Sequence, residues 1–191
     1  IGKANLILKP YFYATNELVL DAKNFEFNSV KEAGKKDELK YTYDGQQITI
    51  DLGRELTRTD SVEIFIDYVA TPAASGGSAA ITSDKGLFFI NSSGEEDKPQ
   101  QIWTQGETEH NSRWFPTIDK PNERTTQEIY LTVEDRFRTL SNGLLISSEK
   151  NEDGMRTDYW KMDQPHAPYL FMVAIGEFAV VQERWNEMLL E

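Results

Sequence analysis

The sequence predicts an all-β domain, an antiparallel sandwich or saddle-like sheet system that occupies residues 1–191 as one unit. Three observations predict it. Apolar and polar residues alternate with a period of two along most of the chain, the signature of strands buried on one face. Turn residues interrupt these runs at short intervals. No stretch keeps a helical period for more than two or three turns.

The strand signals begin with ANLILKP, ELVLDAK, NFEFNSV, LKYTYD, QQITIDL and DSVEIFIDYVA. Tyr43-Asp44-Gly45 separates two of these runs as a hairpin turn should, because Asp bonds its own backbone and Gly accepts a positive φ. TPAASGGSAAITSDKG, Thr71 to Gly86, is too poor in large side chains to pack and reads as a flexible connector. NSSGEEDKPQ, Asn91 to Gln100, reads as a second mobile loop. Strand signals resume in QEIYLTVED and TDYWKMD, the latter preceded by the turn Glu152-Asp153-Gly154. The apolar density from Leu170 to Ile175 predicts a strand buried on both faces. The last dozen residues are the best helix candidate. The count comes to about a dozen strands in one domain, without an internal repeat.

A chain of 191 residues buries roughly 70% of its unfolded surface, enough for a core without covalent staples. It has no cysteine, which excludes disulfides and thiolate metal sites and leaves the redox compartment open. A net charge of −12 opposes a phosphate backbone, so nucleic acid is excluded as a partner. No run of 18 apolar residues predicts a membrane-spanning helix. The opening IGKANLILKPYFY starts inside a strand pattern rather than a signal peptide, and LLE closes the chain abruptly. Both ends are expected to be cuts in a longer chain.

Within the chain, self-contained catalysis finds little support. His110 and His166 are the only histidines, and no H-E-x-x-H zinc pattern contains them. No G-x-S-x-G nucleophile elbow and no glycine-rich phosphate loop is present.

One segment is richer in chemistry. TQGETEHNSRWFP runs from Thr104 to Pro116 behind the strand-like Ile102-Trp103-Thr104. If the extended conformation continues, Gln105 and Glu107 share a face, and Gly106 lets another surface approach the backbone. A carboxylate and an amide carbonyl aimed together accept hydrogen bonds from an ammonium group. On physics alone a polar strand end followed by a turn is the simpler reading. Trp114, Phe115 and Pro116 read as core anchors, and Asp119 as a turn or cap residue.

The segment TQGETEHNSRWFPTIDKPNERTTQEIYLTV resembles the TQ-x-E…R-x-x-FP-x-x-D-x-P region of the aminopeptidase N family of gluzincin zinc metallopeptidases. LILKPYFYATNELVLDAKNFEF is similar to the family's early strands, with Leu20-Asp21 at the matching pair. LSNGLLISSE resembles its Leu-Ser-Asn segment, here Leu140-Ser141-Asn142. YWKMDQPHAPYLFMVAIGEF resembles its closing pattern through Pro165, Tyr169-Leu170 and Gly176-Glu177-Phe178. The four segments keep the family's order and cover nearly the whole chain. Arg113 stands one residue further from Thr104 than in many members, so no role carries over to Arg113 or His110.

The resemblance implies a saddle-shaped N-terminal domain that covers a thermolysin-like catalytic domain. It implies a parent enzyme that removes N-terminal amino acids, with Zn2+ held by ligands outside this chain and none bound by residues 1–191. Gln105 and Glu107 match the family residues that hold the substrate's free α-amine. The implied partners are peptides with a free N-terminus and the protein's own catalytic domain. Two alternatives keep the β-fold without the chemistry: a scaffold from a relative that lost its zinc site, and a carbohydrate-binding sandwich that uses exposed aromatics.

Overall fold

The computed structural model describes residues 1–71, 86–186 and 188–190. Fifteen strands form among them, and every pairing between strands is antiparallel.

The first half is a sandwich. Strands β1 (Gly2–Leu8), β3 (Phe25–Glu32) and β6 (Val62–Ala70) form one sheet in the order β1-β6-β3. Strands β2 (Thr15–Asp21), β4 (Tyr41–Tyr43) and β5 (Gln47–Leu56) form the other in the order β2-β5-β4. The alternation read in the sequence decides which faces meet. Val62, Ile64, Ile66 and Tyr68 of β6 are buried together with Ile48, Ile50 and Leu52 of β5, in one cluster that also takes in Leu20, Phe25 and Val30. Ile48, Ile50, Ile64 and Ile66 are each fully buried, and such burial stabilises by about 1.5–3 kcal/mol per side chain. Between β4 and β5 the Asp44 carboxylate accepts the N–H groups of Gln46 and Gln47 at 2.8 and 2.7 Å, and Gly45 takes a φ of 89°.

The second half pairs two further sheets. One runs β10-β13-β8-β7, from β7 (Leu87–Ile90), β8 (Gln101–Thr104), β10 (Arg138–Ser141) and β13 (Val173–Gly176). The other runs β11-β12-β9, from β9 (Thr125–Glu134), β11 (Leu144–Lys150) and β12 (Met155–His166). A buried ion pair links them. Asp158 accepts Nε and Nη2 of Arg156 at 2.8 and 2.9 Å, together with the hydroxyls of Thr139 and Ser148, both at 2.6 Å. Burial pushes the Asp158 carboxyl up. The hydrogen bonds from Arg156, Ser148 and Thr139, with the guanidinium charge, outweigh that and hold it at about 2.

Three expectations change. The last dozen residues are not helical: β14 (Glu183–Trp185) and β15 (Met188–Leu190) pair as a hairpin, with Asn186 at a φ of 56° in the turn. Asn tolerates the left-handed region, which a helix interior excludes. The apolar run from Leu170 to Ile175 is not one strand. Pro168–Leu170 forms a short 3-10 helix, and β13 begins only at Val173. Proline with its fixed φ favours that helical start. The strands also exceed the expected dozen, because several are only three or four residues long.

The Asn91–Gln100 loop carries its own scaffold. Buried Asn91 donates to the carbonyls of Glu96 and Lys98 at 3.0 and 2.6 Å and accepts the Glu96 N–H at 2.9 Å. The connector expected at Thr71 to Gly86 lies, apart from its end residues, outside the described residues.

Candidate functional site

Strand β8 delivers the chain to Thr104 and stops there. The extended run expected to carry Gln105 and Glu107 on one face does not form. The Gly106 carbonyl accepts the His110 N–H at 3.0 Å and closes a turn over residues 107–110, which leads into a 3-10 helix at Asn111–Arg113. The Glu107–Thr108 peptide bond is cis. Gln105 and Glu107 nevertheless come together, because both line an open groove of about 270 Å³. Residues 104–107 make one wall and residues 169–172 the other. Glu107 is exposed and Gln105 half-buried. Neither side chain has a hydrogen-bond or ion-pair partner among the described residues.

The far wall is held from behind. Asn142 donates to the Leu170 carbonyl at 2.9 Å and accepts the Met172 N–H at 2.8 Å. Ser141 donates to the Met172 carbonyl at 2.8 Å and accepts a bond from Gln127 at 3.0 Å. Phe171 lies between Phe115 and His166, with ring centroids 5.2 and 4.7 Å away.

The near wall is tied to the far one. Thr104 Oγ1 accepts the Val173 N–H at 3.0 Å. Asn111, fully buried, donates its amide to the carbonyls of Pro168 and Phe171 at 2.6 and 2.9 Å and accepts the Trp114 indole N–H at 2.8 Å. Gly106 was expected to admit another surface. What approaches it is the chain itself: a β-carbon there would collide with the Tyr169 carbonyl oxygen and the Asn111 amide.

The rest of the loop is anchored in the first sandwich. Phe115 packs on its core, Pro116 is fully buried, and the Tyr68 hydroxyl donates to the Trp114 carbonyl at 2.9 Å. Burial raises the Tyr68 phenol well above its ordinary value, so it stays a donor. Asp119 accepts the Ser112 N–H at 2.9 Å, and its own N–H donates to Asp21 at 3.0 Å. Asp21 also exchanges backbone bonds with Thr117 at 2.7 and 3.1 Å. His110 and Arg113 do not line the groove.

The family model of the peptidase M1 N-terminal domain matches residues 2–170. The chain belongs to this family. An aminopeptidase N from Haemophilus influenzae is 31% identical over 170 residues, 88% of this chain. The M1 N-terminal domain described here spans only 18% of that relative's length. In three dimensions it is similar to an M1 zinc metallopeptidase mutant from Deinococcus radiodurans bound to a Tyr-Ser-Ala substrate. The TM-score there is 0.76 at 14% identity, over 98% of this chain and 41% of that one. Aminopeptidase A of Legionella pneumophila in complex with aspartic acid gives 0.75 at 21% identity, over 95% and 20%. At such identities these likenesses establish the fold, an all-β M1 N-terminal domain.

Zinc is named for the similar Deinococcus radiodurans metallopeptidases, and the described residues of this M1 domain do not fit it. Among the described residues no group of three or more His, Asp or Glu side chains converges as a metal site would. No helix of the described residues is long and apolar enough to cross a membrane.

Sequence reading placed Gln105 and Glu107 but missed what makes them a groove. Tyr169-Leu170 and Ser141-Asn142 were recognisable as family segments, yet nothing in their spacing announced that Asn142 clamps the 170–172 wall. Asn111 carried no motif. The available signal was an amide just ahead of a buried aromatic pair, a position that demands hydrogen-bond partners.

Proposed function

We propose that residues 1–191 form the N-terminal domain of a longer M1 zinc aminopeptidase, and that Gln105 and Glu107 hold the free α-amine of its peptide substrates. The observation that carries this reading is their convergence on one open groove, with Glu107 exposed and free of any cation among the described residues. An unpaired carboxylate beside an amide carbonyl is an acceptor set for an ammonium group. A peptide α-amine titrates near 7.7–8.0 and is largely cationic at neutral pH. At about 4 Å its attraction to a carboxylate is roughly 1–4 kcal/mol between bulk water and a protein surface, before desolvation is subtracted. An internal peptide bond carries no charge and gains none of this, so the groove selects chain termini.

The same surface is suited to cover a catalytic cleft. Leu170, which lines the groove, is about half exposed. Apolar side chains beside a polar recess suit closure against another domain. The zinc of the parent enzyme would be held by that other domain and would supply Lewis-acid chemistry there. The residues of this chain bind and orient the amine end.

The test uses the full-length protein. Glu107→Ala should lower kcat/KM for peptides with a free N-terminus on the order of 10- to 100-fold, the worth of a charge-assisted hydrogen bond. Amino-terminal cleavage at wild-type efficiency by that variant would sink the assignment.

A further inference from the structure

Amine contact falls to Gln105 and Glu107 and not to residues 109–112, yet one of these, Asn111, ties one groove wall to the other. From the geometry we infer that Asn111 is a positioning residue for amine recognition, setting the separation between the Gln105–Glu107 segment and the Tyr169–Met172 wall. The inference rests on the amine-recognition reading above and adds to it a residue that ties the two halves together beyond Thr104.

Beyond Thr104 the near wall has left its sheet. Its backbone ties are local: Gln105 donates to the Gly86 carbonyl at 2.9 Å, and His110 donates to the Gly106 carbonyl at 3.0 Å. Neither reaches the far wall. Asn111 does, with both amide hydrogens: one meets Pro168 and the other Phe171, the residues that bracket the turn of the far wall. Its carbonyl oxygen is occupied as well, by the Trp114 indole. That bond decides which end of the amide faces the far wall, because an indole N–H donates and never accepts. Gly106 packs on the same amide from the groove side. Each polar atom of a fully buried side chain is thus engaged in one relative placement, with no tolerance for a longer or acidic replacement. Glu107 stands next to Gly106 and its side chain makes no bond among the described residues, so its carboxylate takes its position from this clamp.

The experiment uses the full-length zinc peptidase and two inhibitors, an amino-acid hydroxamate and its des-amino analogue with the same side chain. The ratio of their inhibition constants reports amine recognition alone. Asn111→Ser, a shorter donor, should lower that ratio by about 10- to 100-fold, the range expected when a binding group shifts by about an ångström. Affinity for the des-amino compound should stay within about twofold. In a Glu107→Gln background the same substitution should have a smaller effect, because part of what Asn111 positions is the Glu107 carboxylate. Should Asn111→Ser not fold, Trp114→Phe removes the bond that orients the amide while keeping an aromatic ring beside Phe115, and the same loss of ratio, smaller in size, is expected. Equal weakening of both inhibitors would overturn the inference, as would an unchanged ratio or an undiminished effect in the Glu107→Gln background. An unchanged ratio for Glu107→Gln alone would instead bring down the amine-recognition reading and this inference with it. A normal loss for Glu107→Gln with none for Asn111→Ser would remove only the inference.

Discussion

Gly106 lies so close to the carbonyl oxygen of Tyr169 that no β-carbon fits between them. The contact is between two stretches of backbone, which cannot turn aside as a flexible side chain would. Gly106→Ala should therefore destabilise the chain by about 1–3 kcal/mol through overpacking. It should also push the groove walls apart. Urea unfolding measures the first effect. The second appears in the full-length protein as a rise in KM for free-amine substrates. A variant as stable as wild type would mean that the two segments separate at no cost.

The Arg156–Asp158 pair makes a different demand. Asp158 is buried and holds four hydrogen bonds, from Arg156, Thr139 and Ser148. Asp158→Ala leaves the buried Arg156 guanidinium with only the partly exposed Asp135 carboxylate, 3.1 Å away, and should cost about 3 kcal/mol, measured by chemical denaturation.

Acid should act on the same group. The Asp158 carboxyl sits at about 2 in the folded protein, against about 3.9 in an unfolded chain. Because the folded value is the lower one, its stabilisation is fully present above about pH 4 and is lost as pH falls through 2, about 2 kcal/mol in all. Glu32 in the first sandwich is also held at about 2, by hydrogen bonds from Arg54 and then Lys35. Unfolding free energy measured from pH 5 to pH 2 should fall across this window, and less steeply in Asp158→Asn. An unchanged slope in that variant would assign the acid sensitivity elsewhere.

The Asn91 loop allows backbone and side-chain contributions to be separated. Asn91 has a φ of 49° and makes three side-chain bonds across its loop. Asn91→Gly loses the bonds but keeps the conformation, whereas Asn91→Ala also strains the backbone. Alanine should be the worse by about 1 kcal/mol in thermal unfolding. Equal losses would place the whole effect in the hydrogen bonds.

Where one face of a strand meets a core, the residue order was sufficient to read it. Val62, Ile64, Ile66 and Tyr68 alternate with Glu63, Phe65 and Asp67, and β6 buries the first set. Asp44-Gly45 specified its hairpin by local chemistry alone. The readings that failed depended on partners far along the chain. Phe171 looked like part of a buried strand, but it packs between Phe115 and His166 at the end of a 3-10 turn. Gln105 and Glu107 were visible as a motif. Their meeting depends on a turn after Thr104 and on Asn111, neither of which leaves a periodic trace.

The two bonds from the Asn111 amide span 57 and 60 residues of chain. A ribosome making this protein exposes Gln105 and Glu107 long before Phe171 emerges, so through that interval the acid and the amide face no opposite wall. Until then a nascent chain lacks the two-walled groove. The groove comes into being with the return of the 168–171 turn, all at once.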